Sequence, residues 1–131
     1  MPESALGHWL KALRDDRRLS LREVSQRGEV DHAYIYRLET GAKESPSAEV
    51  INKLIAALTP SARDAEILRF LASHPNVNVD GGLADFVRQD ASITPAEFHM
   101  LTTVVNRGAR ADYATSLTRI RRLMQEEDDD G

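Results

Sequence analysis

The sequence predicts an all-α protein in two parts: a five-helix unit over residues 1–74, then a small three-helix region over 83–125. Three observations lead there. Apolar residues recur at helical spacing along most of the 131 residues. Ser, Thr and Asp stand at the starts of those stripes, where helix caps belong. One stretch, PNVNVDGG at 75–82, is rich enough in turn residues to act as a linker between the parts. No segment alternates as a strand does, and VNV within the linker is too short to be one.

The elements follow in order. In ALGHWLKALRDDR (5–17), Leu6, Trp9, Leu10 and Leu13 make one stripe. Ser20 and Glu23 form a capping box that opens a second, short helix, with Leu21, Val24 and Ser25 turned inward. Gly28 is expected to end it in the left-handed conformation. Asp31 caps a third helix whose Ile35 and Leu38 face inward and which Gly41 closes. Pro46 and Ser47 open a fourth, with Val50, Ile51, Leu54, Ile55 and Leu58 apolar; Thr59-Pro60 breaks it. The fifth, SARDAEILRFLASH, buries Ile67, Leu68, Phe70 and Leu71. Beyond the linker come LADFVRQ, a helix begun by Thr94, Pro95 and Glu97 and ended by Gly108, and a last helix striped by Leu117, Ile120, Leu123 and Met124.

Composition excludes several functions. At 41% apolar and 29% charged the chain is of the globular kind. It has no cysteine, so disulfides, thiolate metal sites and cysteine nucleophiles are impossible. No run of about 18 apolar residues exists to cross a membrane. MPESALGHWL lacks the order of a signal peptide, so a cytoplasmic location is expected. His8, His32, His74 and His99 show no metal-ligand spacing, HExxH is absent and no glycine loop cradles phosphate. Neither catalysis, a cofactor nor a metal is expected. The net charge of −4 is set by the segment at 126–131, read as a solvated, disordered acidic tail. Taking its five acids away leaves the rest at +1.

The second and third helices, joined by a tight turn, form a helix-turn-helix. In that motif the second helix must enter a DNA major groove about 12 Å wide. With Ile35 and Leu38 facing inward, His32, Ala33, Tyr36 and Arg37 point outward. Arg37 suits a bidentate bond to guanine, His32 a purine edge, Ala33 close approach or a thymine methyl, and Tyr36 a base or phosphate. Tyr34 reads equally well as a packing residue, and Arg14 and Arg27 as a solvated helix face. Ser25 is small enough for the two helices to cross closely. Residues 1–58 hold as many basic as acidic residues, which favours pairing of two half-sites over strong non-specific affinity.

LGHWLKALR, LSLREVSQRGEV, YIYRLETG and PSAEVINKLIAAL, in this order, resemble the Cro/C1-type (XRE) helix-turn-helix repressors over residues 5–58 and on towards 74. The resemblance implies a five-helix domain whose third helix reads double-stranded DNA through His32, Ala33, Tyr36 and Arg37. It also implies that Ser20, Arg22 and Lys43 meet phosphates. The family usually has glycine just before the residue at Val30; here Glu29 stands there, with Gly28 one step earlier.

About 45 residues beyond the linker are marginal for a core of their own. Phe98, Leu101, Val105, Leu117, Ile120 and Leu123 are therefore read as a dimerisation surface for a homodimer. GLADFV, ITPAEFHMLTTVVNRGAR and LTRIRRLM resemble the C-terminal half of DdrO-type DNA-damage-response repressors. That resemblance implies a dimeric repressor relieved when a zinc metallopeptidase cuts its C-terminal region, with RIRRLM (119–124) the place to look. The alternative is an antitoxin whose C-terminal part wraps a toxin and which autoregulates its operon.

Overall fold

The structure, a computed structural model, describes residues 4–42, 46–74, 81–106 and 113–129. Among these residues lie eight helices: α1 (Ala5–Asp16), α2 (Leu21–Gly28), α3 (His32–Thr40), α4 (Ala48–Leu58), α5 (Ala62–Ser73), α6 (Gly81–Gln89), α7 (Pro95–Asn106) and α8 (Tyr113–Asp129). The all-α architecture of five helices and then three is as expected.

Side chains start the helices. Ser4, Ser20, Asp31, Ser47 and Ser61 each accept a hydrogen bond from a backbone N–H in the first turn of α1 to α5. Ser20 and Glu23 form the full reciprocal box. Thr94 and Glu97 do the same at α7, with Thr94 N–H donating to Glu97 Oε1 at 2.8 Å and Glu97 N–H to Thr94 Oγ1 at 3.1 Å. Each such cap satisfies donors that the helix cannot pair internally.

The helix ends depart from expectation. Arg18, Glu29 and Thr59 take left-handed φ angles of 54°, 57° and 47°, and of the described glycines only Gly41 does so. Gly28 is the last residue of α2, and its smallness serves packing instead: a Cβ there would lie 3.0 Å from the Lys53 carbonyl oxygen and 3.2 Å from Ala57 Cβ on α4. This close approach is of α2 to α4. Gly7 is tighter still, since a Cβ on it would sit 2.4 Å from the Leu38 carbonyl oxygen of α3. α1 and α3 can cross at this distance only with glycine at that place.

One continuous core runs through both halves. Trp9 of α1 is fully buried; its ring lies 6.1 Å from that of Phe98 on α7, and its Nε1 donates to the Asp64 carbonyl. Phe70, expected to be buried, is only half-buried and meets Phe98 edge-on at 5.9 Å. Arg63 of α5 reaches under the end of α6 and donates to the carbonyls of Val87, Asp90 and Ile93 at 2.7, 3.2 and 3.3 Å. Its Nε lies 2.8 Å from Asp64 Oδ1, near enough to pair as charges but not aligned as a hydrogen bond. Arg88–Asp16 (3.0 Å) and His8–Asp85 (3.3 Å) join α6 to α1.

The residues read as a dimerisation surface fall in two places. Phe98, Leu101, Leu117 and Ile120 are buried within the chain, each worth about 1.5–3 kcal/mol of transfer energy. Leu123, at 55%, is exposed. Residues 75–80 of the linker and the helix end at Gly108 lie outside the described residues, as does the side chain of Val105; α6 takes in Gly81 and Gly82. The backbone of α8 runs helically to Asp129, where a disordered tail was expected from Glu126 on. No proline or glycine interrupts that run, and extending a helix that packing has already nucleated costs little per residue.

Arg121 fastens α8 to α7, its Nε donating to Glu97 Oε2 at 2.9 Å, and also reaches Ser92 Oγ. Burial alone would raise the Glu97 carboxyl, but the hydrogen bonds from Arg121 and Thr94 outweigh it and hold the carboxyl below the ordinary glutamate range. A lowered folded-state pKa stabilises the fold above the unfolded value, and this stabilisation is lost as pH falls through the folded one. Glu97→Gln is therefore expected to cost about 1 kcal/mol at neutral pH. The gap to the wild type should close as pH drops below the ordinary glutamate range, which urea denaturation at a series of pH values measures.

Candidate nucleic-acid interface

α2, the turn and α3 are held by Val24, Val30, Ile35 and Leu38, all buried. Their contacts fix the angle between the two helices. The turn hinges on Glu29 in the left-handed conformation at the C-cap of α2. Where a glycine would take this φ without strain, Glu29 bears a cost of roughly 1–2 kcal/mol. Glu29 thus takes the left-handed turn, and Gly28 packs against α4.

α3 divides cleanly. Ile35 and Leu38 are fully buried and Glu39 nearly so, while Tyr34 is half-buried and packs on the core. His32, Ala33, Tyr36 and Arg37 are all exposed, Tyr36 to 56%. His32 with Tyr36, and Ala33 with Arg37, are i,i+4 pairs, so the four form two adjacent rows on one face. Asp31 caps the helix through the Ala33 N–H and lies 3.7 Å from His32 Nδ1. Ser20 and Arg22 are exposed at the start of α2. The Ser20 oxygen accepts from Glu23 N–H, which leaves its hydroxyl proton free to donate. Lys43 lies outside the described residues. Among the described residues Arg18, Arg22, Arg27 and Arg37 are exposed and form no ion pair.

Arg14 corrects the sequence reading. It is not part of a solvated face. Its Nε and one terminal nitrogen donate to the two carboxylate oxygens of Glu39 at 2.7 and 2.8 Å, and the other terminal nitrogen donates to the Leu19 carbonyl at 2.9 Å. The Glu39 side chain is 5% exposed and that of Arg14 15%. The hydrogen bond with Glu39 raises the Arg14 pKa further above its already high value, against the opposing effect of burial. The signal in the sequence was positional. Glu39 follows Ile35 by four residues, and Arg14 follows Leu10 by four, so each charge lies on a buried stripe.

Residues 5–66, from α1 into α5, match the family model of a helix-turn-helix domain. The chain carries a helix-turn-helix domain. None of the curated proteins compared with the chain matches it. Helix-turn-helix domains mark DNA-binding regulators, and here α2 is the supporting helix and α3 the helix presented outward. No helix among the described residues is long and apolar enough to cross a membrane.

Because Glu39 is buried, removing its partner strands a charge. Arg14→Met is expected to cost about 3–5 kcal/mol in urea denaturation, and Arg14→Met with Glu39→Leu to recover most of that loss.

Proposed function

We propose that this protein is a sequence-specific transcription regulator of the Cro/C1 (XRE) kind, a dimeric repressor that reads a palindromic operator in the major groove. The observation that carries this is the division of α3: His32, Ala33, Tyr36 and Arg37 share one exposed face, while the opposite face is locked by Ile35, Leu38 and the Arg14–Glu39 pair. Arg37 donates bidentately to guanine O6 and N7, and His32 bonds a purine edge. Ala33 lets the backbone approach, and Tyr36 reaches a base or phosphate. Ser20 and Arg22, together with Lys43, grip phosphates and set the register without reading sequence.

Two copies place two reading helices about 34 Å apart, one turn of DNA. Among the described residues of the second half, Leu123 and Met100 are the large exposed apolar side chains, which supports their facing a second copy. As a DdrO-like repressor acting in the cytoplasm, the protein is relieved by a zinc metallopeptidase that cuts within 119–124. Arg119, Arg122 and Leu123 are exposed there, while Ile120 is buried and Arg121 is held by Glu97. A cut there frees the end of α8 from α7 and takes part of the dimer surface with it.

An operator selected from random duplexes provides the test. Arg37→Ala is expected to lower affinity for it by ~1–3 kcal/mol with helicity unchanged; undiminished affinity would contradict the assignment. Leu123→Glu is expected to sediment as a monomer and to lose the advantage of a two-half-site operator over a single half-site. A Leu123→Glu dimer would place the interface elsewhere.

A further inference from the structure

A groove of about 380 Å3 runs between α5 and the first turns of α7, lined by Glu66, Arg69, Phe70, Ser73, Pro95 and His99. We infer that it binds a planar organic anion, an aromatic carboxylate. The volume lies within the usual range for small-molecule sites. One wall is made of rings tilted to one another, by 46° between Phe70 and His99. Phe70 has His99 at 4.7 Å and His74 at 4.4 Å, and its edge-on contact with the buried Phe98 holds it from behind. The His74 ring is fixed in turn, because Nδ1 lies 2.9 Å from the Phe70 carbonyl, which can only accept. Rings held at such angles take an aromatic ligand in tilted or edge-to-face contact, with little ordering left to do.

Charge selects the anion. Arg69 is exposed and forms no ion pair among the described residues; its one side-chain contact is with Asn52 Oδ1, at a long 3.4 Å. It also borders a neighbouring groove of about 290 Å3 beside Ile51 and Ala72, so the guanidinium has open space on both sides. Glu66 sets the polarity by repelling an anion from its own end. The carboxylate lies at Arg69 and the ring over Phe70 and His99.

The groove lies between α5, which the matched residues enter only as far as Glu66, and α7, which lies beyond them. A ligand there touches both halves of the molecule. This inference is independent of the operator and of the oligomeric state.

The test titrates benzoate into the isotopically labelled full chain and follows backbone amide shifts. Benzamide serves as the neutral probe of the same shape, and Arg69→Gln as the variant. Saturable shifts centred on Phe70, Ala96 and His99 are expected, with affinity lower by at least about tenfold for benzamide and for the variant. Should Arg69→Gln fail to fold, the comparison of the two probes on the wild type decides alone. Shifts that do not saturate, that centre elsewhere, or that are as strong with benzamide would overturn the proposal.

Discussion

A carboxylate withdrawn from water needs a cation, and a planar guanidinium meets both of its oxygens at once. Glu39 and Arg14 satisfy each other in this way across α1 and α3, and the remaining donor of Arg14 reaches the Leu19 carbonyl just before α2. One side chain therefore ties together the helix that braces the motif, the helix presented outward and the segment that enters the supporting helix. The pair acts at the place where Gly7 lets the α1 backbone approach the α3 carbonyls. Close backbone contact limits how far the two helices can slide, and the ion pair limits how α3 can rotate. Rotation is the freedom that matters, because a turn of α3 about its axis would exchange Ile35 and Leu38 for His32 and Arg37.

The bracing extends beyond the helix-turn-helix domain. Trp9 lies between α5 and the second half, and Arg63 of α5 closes the carbonyl end of α6. Carbonyls at a helix end need donors, and a buried arginine supplies several from one planar group. The apolar side of α1 and α5 is thus covered by the same chain, while the exposed face of α3 stays clear. A region of about 45 residues, marginal as a core of its own, becomes stable by adding its apolar surface to a core already formed. Phe98, Leu101, Leu117 and Ile120 are spent on that joint core, and Leu123 is the apolar residue of α8 left at the surface.

What was legible in the sequence was local. Caps and apolar stripes depend on residues within a turn or two of one another. Ser20 with Glu23, Asp31, Ser47 and Thr94 with Glu97 therefore located helix starts, and Ile35 with Leu38 located the outward face of α3. What was not legible depended on distant partners. Gly28 looked like a helix terminator because its neighbourhood in sequence ends a helix. Only the approach of α4 shows why glycine stands there, with Glu29 taking the left-handed turn. Arg14 and Glu39 are separated by 25 positions, and each alone resembles an ordinary surface charge. Arg63 escaped notice for the same reason, since its acceptors are carbonyls some 24 to 30 residues away. The helical run to Asp129 was hidden by its charge, because composition describes a solvated segment whether or not its backbone is helical.

Charge balance by composition is a poor guide to the presented surface for the same reason. Residues 1–58 hold equal numbers of acids and bases, yet several of the acids are paired or serve as helix caps. Glu39 is paired with Arg14, Asp16 with Arg88 and Glu49 with Lys53, while Glu23 and Asp31 cap the two helices of the motif. Among the described residues, Arg18, Arg22, Arg27 and Arg37 keep their charge at the surface without an acid against them. A polyanion meets those arginines first, and the engaged acids are already neutralised or turned towards backbone N–H groups. Glu29 is the acid of the turn left exposed. Near α3 the exposed arginines stand beside the exposed acids Glu29 and Asp31, so the position of each guanidinium, and not the charge count, decides what a phosphate meets.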